Sequence, residues 1–322
     1  MPIASFLSFP QISAQKWNEF IENSPQGGVF ALYEYASIVA ENWQVVLVEE
    51  GDKWLAVMPL CLKKKYFLSY TLQPIFTQYW GIFFANELFK TQYEKYSFYQ
   101  KILRLILEKI PSTYLFVHHF SPKFDYALPF HWEKYELKTR YTYQIDLQEI
   151  DIQEIWKNMA NPLQRQIKKA IKNQLQVEET NNSAMLFHFL ANQPKNVLGV
   201  EKKHETTFQQ LTEYLLSSGH GKLFQIKNRE GEIRAIALFS YFNKQVVYHL
   251  GLISPNNEDN SVMDFLLWKA IEWAKEKEAE VFDFEGSMIE NIERFFRKFG
   301  AKPVPYLQIT KRNWRFFLDS SK

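Results

Sequence analysis

Two carboxylates at a strand–helix junction are the residues of this sequence best suited to acid–base chemistry. The segment FDFEGSMIENIERFFRKFGA, residues 282–301, begins like a buried strand and continues like an amphipathic helix. Asp283 and Glu285 are two residues apart, so an extended backbone would direct both carboxylates to the same side. Ligands of α/β sheets bind beyond the carboxyl ends of strands, where a carboxylate can hold or deprotonate an amine. The alternative is a structural acid near a helix N-terminus, and the pattern leaves both interpretations open.

The helix predicted after this junction carries a cluster of cations. Ser287 and Glu290 have the spacing of a capping box, which predicts a helix start at Ser287. Three cations lie opposite the apolar side of this helix: Arg294, Arg297 and Lys298. They are candidate substrate-binding residues, and an ordinary solvated helix face is the alternative.

A second basic helix is predicted over NPLQRQIKKAIKNQ, residues 161–174, with Asn161 as its cap. Its predicted apolar stripe consists of Leu163, Ile167, Ala170 and Ile171. Four cations recur on another face: Arg165, Lys168, Lys169 and Lys172. Such a face could bind a phosphate or diphosphate, because arginine offers a planar fork and lysine a mobile point charge. A solvated surface is again the alternative.

Composition restricts the class of protein. A chain of 322 residues is long enough for two domains, and 46% hydrophobic with 23% charged residues is typical of a folded protein. The net charge of +2 predicts no general attraction to DNA or anionic lipid, so a basic site would be a local patch. We find no signal-peptide pattern and no apolar run long enough to span a bilayer, which predicts a cytoplasmic protein. The single cysteine, Cys61, is predicted to fill the core.

An internal repeat is visible in the order of the predicted elements. A hairpin, a strand, a helix and a further strand occur twice, with EEGDKWLAVMPL matching REGEIRAIALFS and TYLFVHHFSP matching EVFDFEGSMI. The repeat predicts two similar α/β halves, residues 1–150 and 151–322. His118 and His119 fall where the acids lie in the second half, and we interpret them as core or hydrogen-bonded histidines.

Several common enzyme motifs are absent from the sequence. It contains no GxxxxGK[ST], no GxGxxG after a strand and no GxSxG, so nucleotide hydrolysis, dinucleotide redox chemistry and serine hydrolysis lose support. HExxH and CxxC are also absent, and we predict no metal site.

Four stretches in a fixed order resemble one protein family. They are SPQGGVFALYEY, RQIKKAIKNQLQVEE, VVYHLGL and FDFEGSMIENIERFFRKFGAKPVPYLQI. Together they resemble the Fem-type (FemABX) peptidyltransferases and their GNAT-like bacterial relatives, over residues 17–318. The resemblance implies a mixed α/β fold of two tandem GNAT-type acyltransferase domains, with the catalytic cleft in residues 151–322. It also implies transfer of an amino acid from aminoacyl-tRNA to a free amine on a peptidoglycan precursor.

The resemblance assigns roles to particular residues. Arg165 falls in the family's basic helix, which meets the nucleotide-linked precursor, and Tyr248 falls at a strand tyrosine near the acceptor. The DFEGS segment falls where the central cleft opens. One departure is that Phe296 stands where the family has a lysine in an FKxxF pattern, and Arg297 or Lys298 could supply the missing charge.

The family comparison also bears on coenzyme A. Typical GNAT enzymes bind its pyrophosphate at a glycine-containing loop that opens a helix. The corresponding stretch, SPNNEDNSVMDFL, has no glycine and carries Glu258 and Asp259, which would repel a pyrophosphate. Coenzyme A at this loop is therefore disfavoured, and no cofactor is firmly implied. The acyl donor is expected to be either aminoacyl-tRNA or acyl-coenzyme A.

The sequence therefore predicts an N-acyltransferase that passes an acyl or aminoacyl group to the amine of a small molecule or peptide. A cell-wall precursor or another phosphorylated molecule is the candidate acceptor, and tRNA a candidate partner. The candidate catalytic residues are Asp283, Glu285 and Tyr248. The candidate substrate-binding residues are Arg165, Lys168, Lys169, Arg294, Arg297 and Lys298. The alternatives are a coenzyme A-dependent GNAT N-acetyltransferase and a non-catalytic binding protein that keeps the fold.

Overall fold

A computed structural model describes residues 1–193, 202–286 and 288–313. The chain divides into two compact units. Unit 1 comprises Met1–Arg140 and the residues from Pro305 onward, and unit 2 comprises Tyr141–Val304. The predicted boundary between residues 150 and 151, as a boundary between GNAT-type domains, stays a prediction.

Unit 1 is built on antiparallel hairpins followed by a helix and a strand. Its elements are β1 (Ile3–Ser8), α1 (Ala14–Asn23), α2 (Tyr33–Val39), β2 (Gln44–Glu50), β3 (Lys53–Leu60), β4 (Leu62–Lys65), β5 (Leu68–Thr71), β6 (Phe83–Phe84), α3 (Gln92–Lys109), β7 (Leu115–His119), α4 (Leu128–Trp132) and the start of β8 (Glu136–Asp146). Strands β1, β2, β3 and β6 form one antiparallel sheet, and β5 pairs in parallel with β7. Cys61 is buried, and a ring nitrogen of buried His118 contacts the Trp80 carbonyl, which confirms both as core residues.

Unit 2 repeats the succession of a hairpin, a helix and a parallel strand. Its elements are α5 (Ile152–Asn158), α6 (Asn161–Lys172), β9 (Gln176–Thr180), α7 (Ser183–Ala191), α8 (Glu205–Ser217), β10 (Gly221–Lys227), β11 (Ile233–Phe242), β12 (Gln245–Ile253), α9 (Ser261–Glu276), β13 (Val281–Asp283), α10 (Glu290–Arg297) and the start of β14 (Lys302–Arg312). Strands β9 to β12 are antiparallel neighbours, β12 pairs in parallel with β13, and β13 pairs with β8.

The predicted internal repeat is confirmed at the level of topology. Each unit contains a hairpin, β2–β3 or β10–β11, and a helix, α3 or α9, that leads into a parallel strand, β7 or β13. Helix α9 lies on the sheet of unit 2 because ten of its sixteen residues are buried, most of them apolar. None of the helices that the structure describes has the length and apolar character needed to cross a membrane.

Candidate functional site

The cleft of unit 2 forms where two parallel strands separate. Strands β12 and β13 pair from Gln245 with Val281 as far as Val247 with Asp283. Beyond that point β13 ends, whereas β12 continues to Ile253. Within the described ranges, no strand pairs with this side of β12 after Val247. We call this separation of β12 from β13, at the carboxyl end of the parallel pair, the opening; residues 248–253 of β12 lie along one side of it.

A β-bulge shapes this side of the opening. In the pairing of β11 with β12, Leu238 lies opposite Leu250 and Phe239 lies opposite Tyr248, so His249 is the extra residue. A bulge bends its strand and redirects side chains. Tyr248 packs against the apolar core under α9, while His249, the next residue, faces the opposite side of the sheet and contacts Ser240.

The corresponding gap in unit 1 is filled by the chain itself. Strands β5 and β7 pair only as far as Thr71 with Phe116. Beyond them, the side-chain oxygen of Gln73 accepts the backbone N–H of His119 at 2.9 Å, and the Trp80 N–H donates to the His119 carbonyl at 2.9 Å. The opening in unit 2 is thus the better candidate for a ligand site.

Asp283, predicted as catalytic, is fully buried and saturated with hydrogen bonds. Its Oδ1 accepts from the Thr142 hydroxyl at 2.5 Å and from the backbone N–H of Glu285 at 2.8 Å. Its Oδ2 accepts from the side-chain amides of Gln144 at 2.8 Å and Gln245 at 3.1 Å. These hydrogen bonds connect β13 to β8 and β12, so the contacts of Asp283 stabilise the sheet.

The backbone does not continue extended from Asp283 to Glu285, so the expectation that both carboxylates face one side is wrong. Strand β13 ends at Asp283, and the Asp283 carboxylate holds the Glu285 N–H in a tight turn. Glu285 and Gly286 have φ values of +58° and +54°. At Gly286 a Cβ atom would lie 2.3 Å from the Cα of Thr142, so only glycine fits there.

The turn brings Glu285 to the edge of the opening, against His249. The side chain of Glu285 is 25% exposed, and its Oε1 lies 2.9 Å from Nδ1 of His249. Burial raises the pKa of Glu285 above the ordinary glutamate range, His249 partly offsets this rise, and the charge of Asp283 adds to it. A carboxylate with a raised pKa is a stronger base than an ordinary glutamate, which suits it to accept a proton from a substrate.

Tyr248, also predicted as catalytic, reaches the same side of the opening from the core. Burial raises its pKa, so the phenol stays protonated and can only act as a hydrogen-bond donor or neutral acceptor at neutral pH. A Cβ atom added at Gly251 would lie 2.1 Å from the Tyr248 hydroxyl, so this hydroxyl rests against the backbone of the opening. The catalytic role of Tyr248 stays a prediction.

Phe296, which replaces the family lysine, belongs to the core of unit 2. It is 5% exposed, and its ring lies 4.9 Å from the ring of Phe284 and 6.3 Å from that of Tyr248. An ammonium group at this position would have to leave this aromatic cluster or lose its hydration.

Phe296→Lys is therefore expected to reduce the free energy of unfolding by about 3–5 kcal/mol rather than to restore a lysine-dependent site. Denaturation followed by circular dichroism measures the loss. Ile292→Lys, at a position that is 37% exposed on the same helix, is the control and should cost below about 1 kcal/mol. An unchanged melting temperature for Phe296→Lys would contradict this assignment to the core.

The predicted amphipathic pattern of the basic helix α6 is confirmed, but its N-cap and one residue of its apolar stripe were predicted wrongly. Its N-cap is Ala160 rather than Asn161, because Asn161 already has helical geometry. Ile171, expected in the apolar stripe, is 56% exposed, since only Leu163, Ile167 and Ala170 turn inward.

The four cations of α6 are exposed but not equivalent. Lys169 donates to Asp259 at 3.0 Å, and Lys168 lies 5.9 Å from the centre of the Trp156 ring. The side chains of Arg165 and Lys172 make no ion pair in the part of the chain that the structure describes, and they remain available to an anion. Their predicted role in substrate binding stays a prediction.

An internal carboxylate occupies the N-terminus of α9, the position where the family comparison predicts a pyrophosphate site. Oδ1 of Asp259 accepts from the Ser261 N–H at 3.0 Å, from the Ser261 hydroxyl at 2.7 Å and from Lys169 at 3.0 Å, and its Oδ2 accepts from Asn173 at 3.0 Å. Burial opposes ionisation, but these hydrogen bonds outweigh it and lower the pKa of Asp259 to about 2. Asp259 therefore supplies the negative charge that a helix N-terminus attracts.

The cations of α10 are mostly engaged along their own helix. Arg294 pairs with Glu290 at 2.8 Å and Arg297 with Glu293 at 3.2 Å, both with i,i+4 spacing. The backbone carbonyl of Lys298 accepts the N–H of Ala160 at 2.9 Å, so the end of α10 meets the start of α6. The helix begins at Glu290 with Ile289 as its N-cap, and Ser287, the predicted cap, lies outside the described residues.

Asp264 on α9 is a carboxylate whose charged form is destabilised by burial in the folded protein. Burial raises its pKa from 3.8 to about 6, and the positive charge of Lys298 partly opposes the rise. Because the folded protein binds this proton more tightly than the unfolded chain, the contribution of Asp264 to the free energy of unfolding is most favourable below pH 3.8 and is lost as the pH rises through 6.

Asp264→Asn is therefore expected to raise the free energy of unfolding by about 2 kcal/mol at neutral pH and to have little effect in acid. Urea denaturation across this pH range measures the difference between variant and parent. A difference that is the same at every pH would contradict the proposed proton linkage.

Sequence reasoning missed four contributors to the cleft: Ser240, Thr142, Gln144 and Gln245. They hydrogen-bond to His249 or Asp283 across strand pairs of the sheet, and no local spacing identifies them. Within residues 1–193, 202–286 and 288–313, no group of three His, Cys, Asp or Glu side chains could hold a metal ion.

Comparison with known proteins identifies a GNAT domain within the chain and supports the fold. Residues 158–297 match the acetyltransferase (GNAT) domain family, and no sequence among the curated proteins matches the chain. Among solved structures, FemX has a TM-score of 0.66 at 13% identity, covering 92% of this chain and 96% of FemX. The C-terminal domain of a putative lysylphosphatidylglycerol synthetase from Agrobacterium fabrum has a TM-score of 0.55 at 13% identity, with coverages of 96% and 94%.

A third similar structure is a tandem GNAT protein from the clavulanic acid biosynthesis pathway. Its TM-score is 0.53 at 8% identity, covering 96% of this chain and 98% of that chain. At such low identities the structural likenesses establish the fold alone. The predicted fold class, two tandem GNAT-type domains, is therefore confirmed. Residues 158–297 match a GNAT acetyltransferase domain, within a chain whose fold is similar to those of FemX and a tandem GNAT protein.

Proposed function

We propose that this protein transfers an acyl or aminoacyl group to a free amine in the cleft of unit 2, with Glu285 as the base. The observation that carries the proposal is the separation of β12 from β13 with Glu285 at the point of separation. It leaves backbone N–H groups and a carboxylate with a raised pKa at one opening. Those are the two groups that acyl transfer to an amine requires.

The proposed reaction has two bond changes. The neutral amine attacks the acyl carbon and forms a C–N bond, and the carbonyl oxygen becomes an oxyanion that accepts hydrogen bonds from backbone N–H groups of residues 249–252. The nitrogen then passes its proton to the Glu285 carboxylate. When the intermediate collapses, the C–O bond of the ester breaks and the leaving oxygen takes this proton, which regenerates the carboxylate. Asp283 serves in this scheme to hold the turn.

The donor in this proposal is an aminoacyl ester carried by tRNA rather than acyl-coenzyme A. The Asp259 carboxylate occupies the helix N-terminus that would otherwise attract a pyrophosphate, and it would repel one. Arg165 and Lys172 provide exposed positive charge on α6 for a phosphorylated acceptor. The proposed location of the reaction is the cytoplasm, where charged tRNA is found.

The test is a transfer assay with two labelled donors in parallel. Purified protein is incubated with a radiolabelled mixture of aminoacyl-tRNAs or with labelled acetyl-coenzyme A, and with a nucleotide-linked muramyl pentapeptide that carries a lysine amine. Label on the acceptor from tRNA, lost in Arg165→Ala through a higher KM for the acceptor, is the expected result. Label from coenzyme A alone would replace this proposal with the N-acetyltransferase alternative.

The exclusion of coenzyme A has its own prediction. Asp259→Asn removes the negative charge from the N-terminus of α9 and keeps the side-chain oxygen that accepts from Ser261. We expect the variant to bind acetyl-coenzyme A about tenfold or more tightly than the parent in calorimetric titration at low salt. Glu258→Gln, a charge change in the same loop, is the control and should leave the affinity within about threefold. Equal affinity for parent and Asp259→Asn would show that this carboxylate does not exclude the cofactor.

A further inference from the structure

Three side chains of unit 2 form one hydrogen-bonded line that ends at the cleft. Nε2 of His249 lies 2.8 Å from the Ser240 hydroxyl, and Nδ1 of His249 lies 2.9 Å from Oε1 of Glu285. Exposure rises along this line, from 0% at Ser240 to 6% for the His249 side chain and 25% for that of Glu285. The carboxylate is therefore the end that a substrate can reach.

The local fold, rather than sequence proximity, builds this line. His249 is the extra residue of the β12 bulge, which turns its ring towards Ser240 on β11. Glu285 reaches the ring because its backbone is left-handed, with the Asp283 carboxylate holding its N–H. A non-glycine residue in this conformation carries strain, and such strain concentrates at functional sites.

The order of the three residues excludes a serine nucleophile. In a serine hydrolase the hydroxyl faces the substrate and the carboxylate is buried behind the imidazole. Here the hydroxyl is fully buried and the carboxylate faces the opening. The Ser240 hydroxyl contacts one ring nitrogen of His249 and Glu285 contacts the other, so the geometry places His249 behind Glu285.

An ionised Glu285 carboxylate can only accept, so Nδ1 of His249 must carry a proton in the active arrangement. If the Ser240 hydroxyl donates to Nε2, the imidazole carries its proton on Nδ1 and donates it to Glu285. This bond fixes the carboxylate in one orientation and stabilises its charge. The ionisable groups that act on Glu285 are His249, which favours the charge, and Asp283, which opposes it.

We propose that Ser240 and His249 are positioning residues that keep the Glu285 carboxylate ionised and oriented towards the acceptor amine. This inference rests on the proposed function of Glu285 as the base. It adds that the base works only as the outer member of the three-residue line. Neither Ser240 nor His249 touches the substrate.

The first experiment observes the imidazole directly and needs no substrate. Long-range proton–nitrogen correlation spectra of the full chain with isotope-labelled histidine report the tautomer of each ring. His249→Asn assigns the signal of His249. We expect a single tautomer with the proton on Nδ1 in the parent, and a mixture of tautomers in Ser240→Ala. Ser218→Ala, which removes a serine hydroxyl bonded to the Leu215 carbonyl, is the control and should leave the signal unchanged.

The inference would be overturned if the parent carried the proton on Nε2, or if Ser240→Ala showed the same single tautomer as the parent. Either result would stand even if transfer activity is found. Conversely, the expected tautomers without any transfer activity would count against the proposed function and not against the hydrogen-bonded line. The two failures are therefore distinguishable.

The second experiment compares pH profiles in the transfer assay. His249→Phe removes the donor to Glu285, so the acidic limb of kcat should move to higher pH by about one unit or more. His249→Asn places an amide donor near the position of Nδ1, so its kcat should be at least about tenfold higher than that of His249→Phe. KM for the donor should change less than about threefold in both variants, because neither removes a substrate contact.

His188→Asn, an exposed histidine on α7, is the matched control. If His249→Phe lowers kcat without moving the acidic limb, or if His249→Asn is no better than His249→Phe, the positioning role is wrong. Ser240→Ala keeps the second experiment decisive should His249→Phe fail to fold, since it should move the limb in the same direction by a smaller amount.

Discussion

Glu285→Gln is expected to lower kcat for acyl transfer by about 10²–10⁴-fold, with little change in the folded structure. Glutamine keeps the size of the side chain and an oxygen that can face Nδ1 of His249, but it cannot accept the proton of the attacking amine. The KM values should change little, because the lost interaction acts mainly in the transition state. The measurement is the steady-state rate with the donor that the transfer assay identifies.

Two comparisons make this result specific. Glu276→Gln, at an exposed position on α9, should retain full activity. The activity of the parent should also fall as the pH is lowered, along a limb above the ordinary glutamate range, because burial raises the pKa of Glu285 and the protonated acid cannot act as a base. Activity of Glu285→Gln within about threefold of the parent would remove Glu285 from the mechanism.

The second large effect is expected on stability. Asp283→Ala should reduce the free energy of unfolding by about 3–5 kcal/mol, because removal of a buried charged acceptor leaves its buried donors unsatisfied. The affected donors are the Thr142 hydroxyl, the amides of Gln144 and Gln245, and the backbone N–H of Glu285. Urea denaturation of the purified variant measures the loss.

Asp146→Ala is the matched control for this prediction. Asp146 lies on the paired strand β8 but is exposed, and its side chain accepts the backbone N–H of Gln148. Its removal should cost about 1 kcal/mol or less. A loss of similar size in both variants would mean that the buried network contributes little.

The two predictions separate residues that the sequence treats alike. A double substitution of Asp283 and Glu285 would combine a folding defect with a chemical one, so loss of activity in it could not identify the base. Single variants are informative because Asp283 is 0% exposed with its carboxylate engaged, whereas Glu285 is 25% exposed at the cleft.

The sequence by itself determined the elements and their order. Hydrophobic periodicity identified α6, the segment REGEIRAIALFS was recognised as part of the β10–β11 hairpin, and the repeated order predicted two similar units. These features follow from local physics, since helix and strand periods are properties of the backbone and turns depend on a few adjacent residues. The same local patterns supported the resemblance to the Fem-type and GNAT acyltransferases.

Only the tertiary structure decided which polar residues meet. The sequence offered Asp283 and Glu285 as an equivalent pair, but contacts from Thr142 and Gln144, about 140 positions earlier in the chain, bury the first and leave the second at the cleft. The sequence offered Lys169 as a candidate ligand for phosphate, but in the structure it donates to Asp259, which is 90 positions away in the chain. Contacts of this kind arise from strand register and helix packing, which single-sequence periodicity does not specify. The physical reason is that secondary structure depends on neighbouring residues, whereas a site depends on contacts between side chains that are distant in the sequence.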